Sequence, residues 1–194
     1  IKGCNETIPI IYNQKIPSAQ IKSSVLIASL NSPGISTVIE NTPTRNHTEI
    51  LLKLFGAKIQ INKFKKKNII KLKGQKDLKA KNISIMGDPS SAAIIGSSAL
   101  ITKKSEIKIK NININKTRIT FFNILKKMNA NIKIKNLKKI SGENIGNIII
   151  RSSSLKPINC SKHLVPSAID EFPLLFITAS ILKGVSKFVG IEEL

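Results

Sequence analysis

The chain has 194 residues, of which 41% are hydrophobic, and its 32 lysines and arginines against 11 acidic residues give a formal net charge of +21. This length allows one large domain or two small ones, with enough apolar residues for a core. No run of about 18 apolar residues occurs, which excludes a membrane-spanning helix, and aromatic residues at 4% are too few for a platform on which bases stack.

The first predicted repeat comprises residues 18–62. Its predicted elements are, in order, a helix from Ile21 to Leu30, a strand from Ile35 to Glu40, a helix from about His47 to Phe55 and a strand from Ala57 to Ile61. Pro33-Gly34 and Gly56 supply the breaks after the two helices. Helices that alternate with strands predict mixed α/β layers.

Residues 90–134 repeat this order. The predicted elements are a helix from Ser90 to about Ile101, a strand from Glu106 to Ile114, a helix from Thr117 to Met128 and a strand from Ala130 to Ile134. Asn129 stands where the first repeat has Gly56, and asparagine is the second choice after glycine for a left-handed helix cap. The segment before this repeat, residues 67–86, is polar and irregular, which predicts a crossover between two domains.

A third repeat begins at Pro166-Ser167-Ala168-Ile169-Asp170, with an apolar helix predicted to about Leu182 and a strand from Val185 to Ile191. The sequence stops before the second helix of this repeat, and its first residues are Ile1-Lys2-Gly3 without an initiating Met or a signal peptide. We therefore expect an internal piece of a longer protein.

The start of the first predicted helix is a candidate anion site. Ser18, Ala19 and Gln20 are small or polar, and a helix start offers unpaired N–H groups and the positive end of a dipole. Serine and glutamine side chains add hydrogen-bond donors. Arg45, one of three arginines, stands just before the second predicted helix. The positive end of a helix dipole does not stabilise a cation there, so contact with an anion is one interpretation of Arg45.

Asp170 and Glu171 form an acidic pair beside an apolar run in which Pro173 suits the first turn of a helix. Two interpretations of Asp170 stay open from these residues alone. It is either the N-cap of that helix or a partly desolvated carboxylate that acts as a general base. For Gly87-Asp88-Pro89-Ser90-Ser91, a capped helix start is favoured over a phosphate-binding turn, because the spacing matches no P-loop.

Other kinds of site have little support in the sequence. Cys4 and Cys160 lie far apart without metal-ligand spacing, which predicts free thiols of a cytoplasmic protein and no metal site. No Ser-His-Asp triad or dinucleotide-binding motif is recognisable. His47 and His163 are interpreted as surface or capping residues.

Four motifs, at consistent separations over essentially the whole chain, resemble the EPSP synthase (3-phosphoshikimate 1-carboxyvinyltransferase) family. They are Pro17-Ser18-Ala19-Gln20-Ile21-Lys22-Ser23, Thr42-Pro43-Thr44-Arg45-Asn46-His47-Thr48-Glu49, Gly87-Asp88-Pro89-Ser90-Ser91-Ala92-Ala93 and Ile169-Asp170-Glu171-Phe172-Pro173. The ending Glu192-Glu193-Leu194 resembles the lead-in to a further motif of the family.

The resemblance implies a two-lobed α/β fold of repeated βαβαββ units, incomplete in this chain. Residues 1–84 would belong to the first lobe and residues 85–194 to the second. The implied reaction transfers the enolpyruvyl group from phosphoenolpyruvate to the 5-hydroxyl of shikimate 3-phosphate, through addition and then elimination of phosphate. It implies no metal or cofactor, no membrane or nucleic-acid partner, and a full-length protein that is a monomer.

Residue by residue, the resemblance implies that Ser18 and Gln20 bind shikimate 3-phosphate, with Ala19 contributing through its backbone. Gln20 would also approach phosphoenolpyruvate. Thr44 stands where relatives usually have serine, and Arg45 would lie at the edge of the substrate. Asp170 would be both a substrate contact and the proton acceptor for the attacking hydroxyl.

Other family residues that contact the substrates have no counterpart in the chain, so we expect the chain alone to be inactive. Three alternatives stay open. They are a UDP-N-acetylglucosamine enolpyruvyl transferase, which shares fold and chemistry but lacks the Ser-Ala-Gln motif, a basic nucleic-acid-binding repeat module and a non-catalytic scaffold. Because Lys, Ile and Asn belong to A/T-rich codons and the charge is spread along the chain, genome composition explains the lysines better than nucleic-acid binding does.

Overall fold

A computed structural model describes residues 6–65 and 67–192 of the chain. The expectations for Cys4, for the first residues and for Glu193 and Leu194 lie outside these ranges. The described residues divide into two compact units between Ile83 and Ser84. Among them, no helix is both long enough and apolar enough to cross a membrane.

The first unit is a single βαβαββ motif. Its elements are β1 (Ile11–Gln14), α1 (Ala19–Ser29), β2 (Ile35–Glu40), α2 (His47–Leu54), β3 (Lys58–Phe64) and β4 (Lys67–Lys73). The strand order is β1-β2-β4-β3, with β1 parallel to β2 and the other pairs antiparallel. A parallel pair needs a crossover connection, and α1 supplies it.

The core of the first unit lies between this sheet and its helices. Leu26 of α1, Val38 of β2 and Ile70 and Leu72 of β4 are each 0% exposed. The prediction that residues 67–86 are irregular is wrong for Lys67–Lys73, which form the strand between β2 and β3. Within the predicted segment 67–86, residues 74–86 lack helix and strand. β4 lies between two strands and therefore forms hydrogen bonds along both of its edges. Its lysine-rich sequence is compatible with this position because the alternate residues Ile70 and Leu72 are buried in the core.

The second unit repeats the motif once and begins it again. The second copy consists of α3 (Pro89–Ile101), β5 (Glu106–Asn113), α4 (Thr120–Lys127), β6 (Asn131–Ile140) and β7 (Glu143–Arg151). Its strand order β5-β7-β6 matches β2-β4-β3, and the parallel bridge of Gly87 with Ile112 stands where β1 lies in the first unit. Gly56 and Asn129 both have positive φ, of 91° and 71°, just after α2 and α4. The predicted equivalence of these two residues as helix caps is therefore confirmed.

The third copy differs from its prediction. It consists of β8 (Asn159–Cys160), 3₁₀ turns at Lys162–Ser167 and Ile169–Glu171, α5 (Phe172–Ser180) and β9 (Lys187–Phe188). The α-helix thus begins six residues after Pro166 and ends before Leu182, and the strand is limited to two residues. Proline has no N–H and is favoured at the first helical position, so Pro173 fixes the start of α5 one residue earlier.

A continuous apolar core joins the second and third copies. Phe122 of α4 is 0% exposed and meets Phe121 edge to face at 5.4 Å between ring centroids. Phe172, Phe176 and Phe188 form a second aromatic cluster with centroid distances of 5.1–6.1 Å. Cys160 is a buried free thiol, as predicted, and burial raises its pKa although the charge of Lys127 acts in the opposite direction. The α/β class and the βαβαββ repeat are therefore confirmed.

Candidate active site

The N-terminus of α1 has the features of an anion site. Ser18 is the N-cap, its hydroxyl oxygen accepts the Ile21 N–H at 3.3 Å, and its O–H donates to Oε1 of Gln20 at 3.3 Å. The first turn contains no acidic residue. Ser18 and Ala19 are half-buried and Gln20 is exposed. The positive end of the helix dipole is thus not neutralised within its own first turn.

A buried ionic triad lies one helical turn further along α1. Nζ of Lys22 is 2.8 Å from Oε1 of Glu40, the last residue of β2, and 2.8 Å from Oε1 of Glu49 in the first turn of α2. The side chains are 0%, 0% and 2% exposed, respectively. Oε2 of Glu49 has no hydrogen-bond partner among the described residues. Two carboxylates therefore share one ammonium group out of contact with water.

The triad ties α1 to the loop that carries Thr44 and Arg45. Oε1 of Glu40 accepts the Thr44 backbone N–H at 2.8 Å and also the Thr44 hydroxyl. Thr44 is 6% exposed, and Arg45 is half-buried. A further link between the helices joins the hydroxyls of Ser23 and Thr48 at 2.6 Å. These contacts thus join α1, which begins at Ala19, to the loop that contains Thr44 and Arg45 within the first unit.

In the second unit the equivalent helix start is occupied by the protein's own carboxylate. Asp88 is the N-cap of α3, and its Oδ2 accepts the Ser91 N–H at 2.8 Å, which confirms the interpretation of this turn as a capped helix. Nη2 of Arg118 donates to Oδ1 of Asp88 at 2.6 Å and to Oγ of Ser90 at 3.0 Å. A helix start, an arginine and an anion therefore meet in this copy.

Asp170 also belongs to the second unit, and its surroundings differ from the prediction. Its side chain is exposed rather than partly desolvated, and Glu171 occupies the N-cap position of α5. Glu171 is the buried acid of the pair, 3% exposed, and it accepts a hydrogen bond from the Ser90 hydroxyl. The 3₁₀ turn Ile169–Glu171 turns Glu171 towards α3 and leaves Asp170 on the surface.

The acid stability of the second unit is expected to depend on Asp88. Burial on its own would raise the pKa of this carboxyl, but hydrogen bonds from Ser91 and Ser90 and the charge of Arg118 together lower it below its ordinary value. A lowered pKa in the folded state stabilises the protein above the unfolded-state pKa. This contribution is lost as the pH falls through the folded value. Because the side chain is 47% exposed, solvent screens the pairing with Arg118.

Asp88→Asn retains the capping oxygen, so we expect its free energy of unfolding at neutral pH to stay within about 0.5 kcal/mol of the wild type. Its stability should fall less than that of the wild type below about pH 4, where aspartate takes up a proton in the unfolded chain. Urea denaturation from pH 2.5 to 7 measures both quantities. Equal acid sensitivity of the two proteins would contradict the assignment.

Sequence reasoning missed the ionic triad and the Arg118 contacts. A signal for the triad was present, because Lys22 shares the spacing of the buried residues Leu26 and Ser29 in α1. Glu40 likewise continues the buried alternation of Ser36 and Val38 in β2. Among residues 6–65 and 67–192, no group of three or more His, Cys, Asp and Glu side chains could hold a metal ion.

Two solved enolpyruvyl transferases share the fold of the chain. The enolpyruvyl transferase NikO from Streptomyces tendae has the same fold, with a TM-score of 0.69 over 93% of the chain at 13% identity. EPSP synthase from Acinetobacter baumannii aligns with a TM-score of 0.82 over 96% of the chain at 38% identity, and the chain covers 42% of that protein.

The sequence places the chain more narrowly. Residues 1–194 match the EPSP synthase (3-phosphoshikimate 1-carboxyvinyltransferase) family, and the chain belongs to that family. It is 38% identical to the 3-phosphoshikimate 1-carboxyvinyltransferase of Novosphingobium aromaticivorans and 40% identical to that of Zymomonas mobilis, in each case over 100% of the chain. The chain spans 44% and 43% of the length of these two curated relatives.

Proposed function

We propose that the chain supplies part of the active site of an enzyme that transfers the enolpyruvyl group of phosphoenolpyruvate to the 5-hydroxyl of shikimate 3-phosphate. Its closest support is the start of α1, a helix terminus capped by a neutral serine, with no acid in its first turn. Family membership supplies the identity of the reaction. In this reaction the 5-hydroxyl oxygen adds to C2 of phosphoenolpyruvate while C3 takes up a proton, and phosphate then leaves from C2 as C3 gives up a proton.

The phosphate of shikimate 3-phosphate would bind at Ser18, at the backbone of Ala19 and at Gln20, with Arg45 nearby. The second copy supports this assignment, because there Arg118 and the start of α3 hold a carboxylate between them. In the first unit the N-cap is neutral, so the corresponding place is available to an anion from outside. Gln20 is also proposed to approach phosphoenolpyruvate. Thr44 belongs to the loop before α2 that also carries Arg45.

Asp170 is proposed to take the proton of the attacking 5-hydroxyl. Asp170 is an exposed residue, and the buried Glu171 beside it fixes the turn on which it stands. The 194-residue chain by itself is not expected to turn over, since it corresponds to less than half the length of its relatives. Because both proposed substrates are phosphorylated, we propose that the enzyme is cytoplasmic. That the full-length protein is a monomer stays a prediction.

The anion site is tested by making the first unit resemble the second. Ser18→Asp retains a good N-cap but places a carboxylate where the phosphate is proposed to bind. We expect shikimate 3-phosphate to bind the wild-type chain and to shift the amide resonances of Ala19, Gln20 and Arg45 in a titration followed by NMR. In Ser18→Asp the Kd should rise at least about 30-fold, because like charges placed together cost several kcal/mol.

Asp88→Ser is the matched control, because it exchanges the same two capping residues at α3, in the second unit. The Kd that the amide resonances of Ala19, Gln20 and Arg45 report should equal that of the wild type. Absence of binding to the wild-type chain, or equal binding by Ser18→Asp, would contradict the proposed site. Duplex RNA or DNA that bound with strong salt dependence, and was not displaced by shikimate 3-phosphate, would favour the nucleic-acid alternative.

A further inference from the structure

Both complete copies of the repeat hold a threonine in the same way. In the first unit the N–H and the hydroxyl of Thr44 both donate to one oxygen, Oε1 of Glu40, the N–H at 2.8 Å. In the second copy the N–H and the hydroxyl of Thr117 both donate to Oδ1 of Asn115, at 3.0 and 2.9 Å. We name this arrangement, a threonine with both donors on one side-chain oxygen, the threonine clamp.

The residue that supplies the acceptor oxygen of each clamp forms a further hydrogen bond to a residue near the start of the central strand of the same unit, β4 or β7. Oε2 of Glu40 accepts from Nδ2 of Asn68 in β4 at 2.9 Å. Nδ2 of Asn115 donates to Oε2 of Glu143 in β7 at 3.1 Å. Each pair consists of one acid and one amide. A threonine clamp therefore occurs in both copies, but its acceptor stands four residues before the threonine in the first copy and two residues before it in the second.

The clamp commits the only proton of the Thr44 hydroxyl. A hydroxyl has one donor, and Thr44 gives it to the Glu40 carboxylate, so only acceptor lone pairs remain for a ligand. Phosphate oxygens at neutral pH are acceptors as well. Thr44 is therefore poorly suited to bind the phosphate group directly, and it is 6% exposed.

In the first unit the acceptor of the clamp, Glu40, is also paired with the buried charge of Lys22, and the clamp of the second copy has no lysine at the equivalent place. Lys22, the fourth residue of α1, joins Glu40 to Glu49, the third residue of α2, so one ammonium group fixes the chain on both sides of residues 41–48. The same places in α3 and α4 hold Ala92 and Phe122, which are 2% and 0% exposed. The fold thus does not require ions at these places, and burying them carries a desolvation cost.

An arginine follows the threonine of each clamp. In the second copy this residue is Arg118, which reaches the N-cap Asp88 of α3 at 2.6 Å. We propose that Thr44, Glu40 and Lys22 are positioning residues that direct Arg45 towards the start of α1, and that Thr44 acts through this arrangement rather than by contact with the phosphate. This inference rests on the proposed function of that helix start as the phosphate site.

A double-mutant cycle on the 194-residue chain tests the proposal, with the Kd of shikimate 3-phosphate measured by NMR. Thr44→Val removes the donor and Glu40→Met removes the acceptor, and each should weaken binding about tenfold. The double variant should bind no more than about twofold weaker than the weaker single variant, because both changes break one unit. Thr44→Ser and Glu40→Gln retain the donor and the acceptor oxygen, and both should restore the wild-type Kd.

Thr117→Val is the matched control, since it breaks the clamp of the second copy. It should lower thermal stability to a similar extent as Thr44→Val and leave the Kd unchanged. Effects of Thr44→Val and Glu40→Met that add fully, or a Glu40→Met chain with the wild-type Kd, would overturn the proposal.

A wild-type chain that did not bind would instead contradict the proposed phosphate site. The positioning role would then be decided by crystal structures of the wild-type and Glu40→Met chains without ligand. A displaced Arg45 in the variant would support the role, and an unmoved Arg45 would refute it.

Discussion

Asp170→Asn is expected to lower kcat by about 10²- to 10⁴-fold, the usual contribution of a positioned general base. The amide cannot accept the proton of the 5-hydroxyl, whereas its size and hydrogen-bonding oxygen are retained. Because Asp170 is exposed on a turn that the buried Glu171 fixes, the substitution should not disturb the fold. The measurement is phosphate release by the product of the complete reading frame that encodes the chain, with both substrates present.

Two comparisons separate the loss of a base from other effects. The Kd of shikimate 3-phosphate should change less than about threefold, since a group that acts mainly in the transition state contributes little to ground-state binding. Asp77→Asn, the same substitution at an exposed residue of the first unit, should retain full activity. If Asp170→Asn kept more than half of the wild-type kcat, Asp170 would not be the base.

Lys22→Met should produce the largest loss of stability, about 3–5 kcal/mol in the free energy of unfolding, because removal of one partner leaves buried charge uncompensated. Nζ of Lys22 lies 2.8 Å from a carboxylate oxygen of Glu40 and 2.8 Å from one of Glu49, and all three side chains are 2% exposed or less. Methionine fills a similar volume, so the loss reports charge rather than a cavity. Urea denaturation of the 194-residue chain measures it.

The control for Lys22→Met is Lys53→Met, the same substitution at an exposed position of α2, which should change stability by less than about 0.5 kcal/mol. The double variant Lys22→Met with Glu49→Leu should recover part of the loss. In that variant Glu40 keeps its hydrogen bonds from Thr44 and Asn68, and the buried net charge equals that of the wild type. Equal stability of Lys22→Met and the wild type would show that the triad does not hold this unit together.

Elements with a clear hydrophobic period and a distinct break were predictable from the sequence. The strand β2 has the predicted bounds Ile35–Glu40, and α1 and α3 begin within two residues of their predicted starts. The limits of elements that depend on side-chain contacts were not predictable from the sequence. We predicted a helix from Thr117, but α4 begins at Thr120, because the clamp on Asn115 holds the backbone of Thr117 outside the helix.

The candidate site was predictable to a similar degree. The serine, alanine and glutamine at the start of α1 have the chemistry that a helix terminus requires, and the structure places them there. Which member of the Asp170-Glu171 pair is buried was not predictable, since it depends on Ser90, which lies 81 residues before Glu171 and donates a hydrogen bond to it. Contacts between distant residues of this kind leave no periodic signal in a sequence.

The carboxylate of Asp88 at the start of α3 has a consequence for the number of ligands that the chain can hold. Duplication of a βαβαββ unit duplicates its helix termini, and two equal sites would bind two equivalents of an anionic ligand. In the second copy Asp88 and Arg118 neutralise each other within the protein. The terminus of α3 is therefore saturated internally, and a titration should reach its end point at a stoichiometry of one.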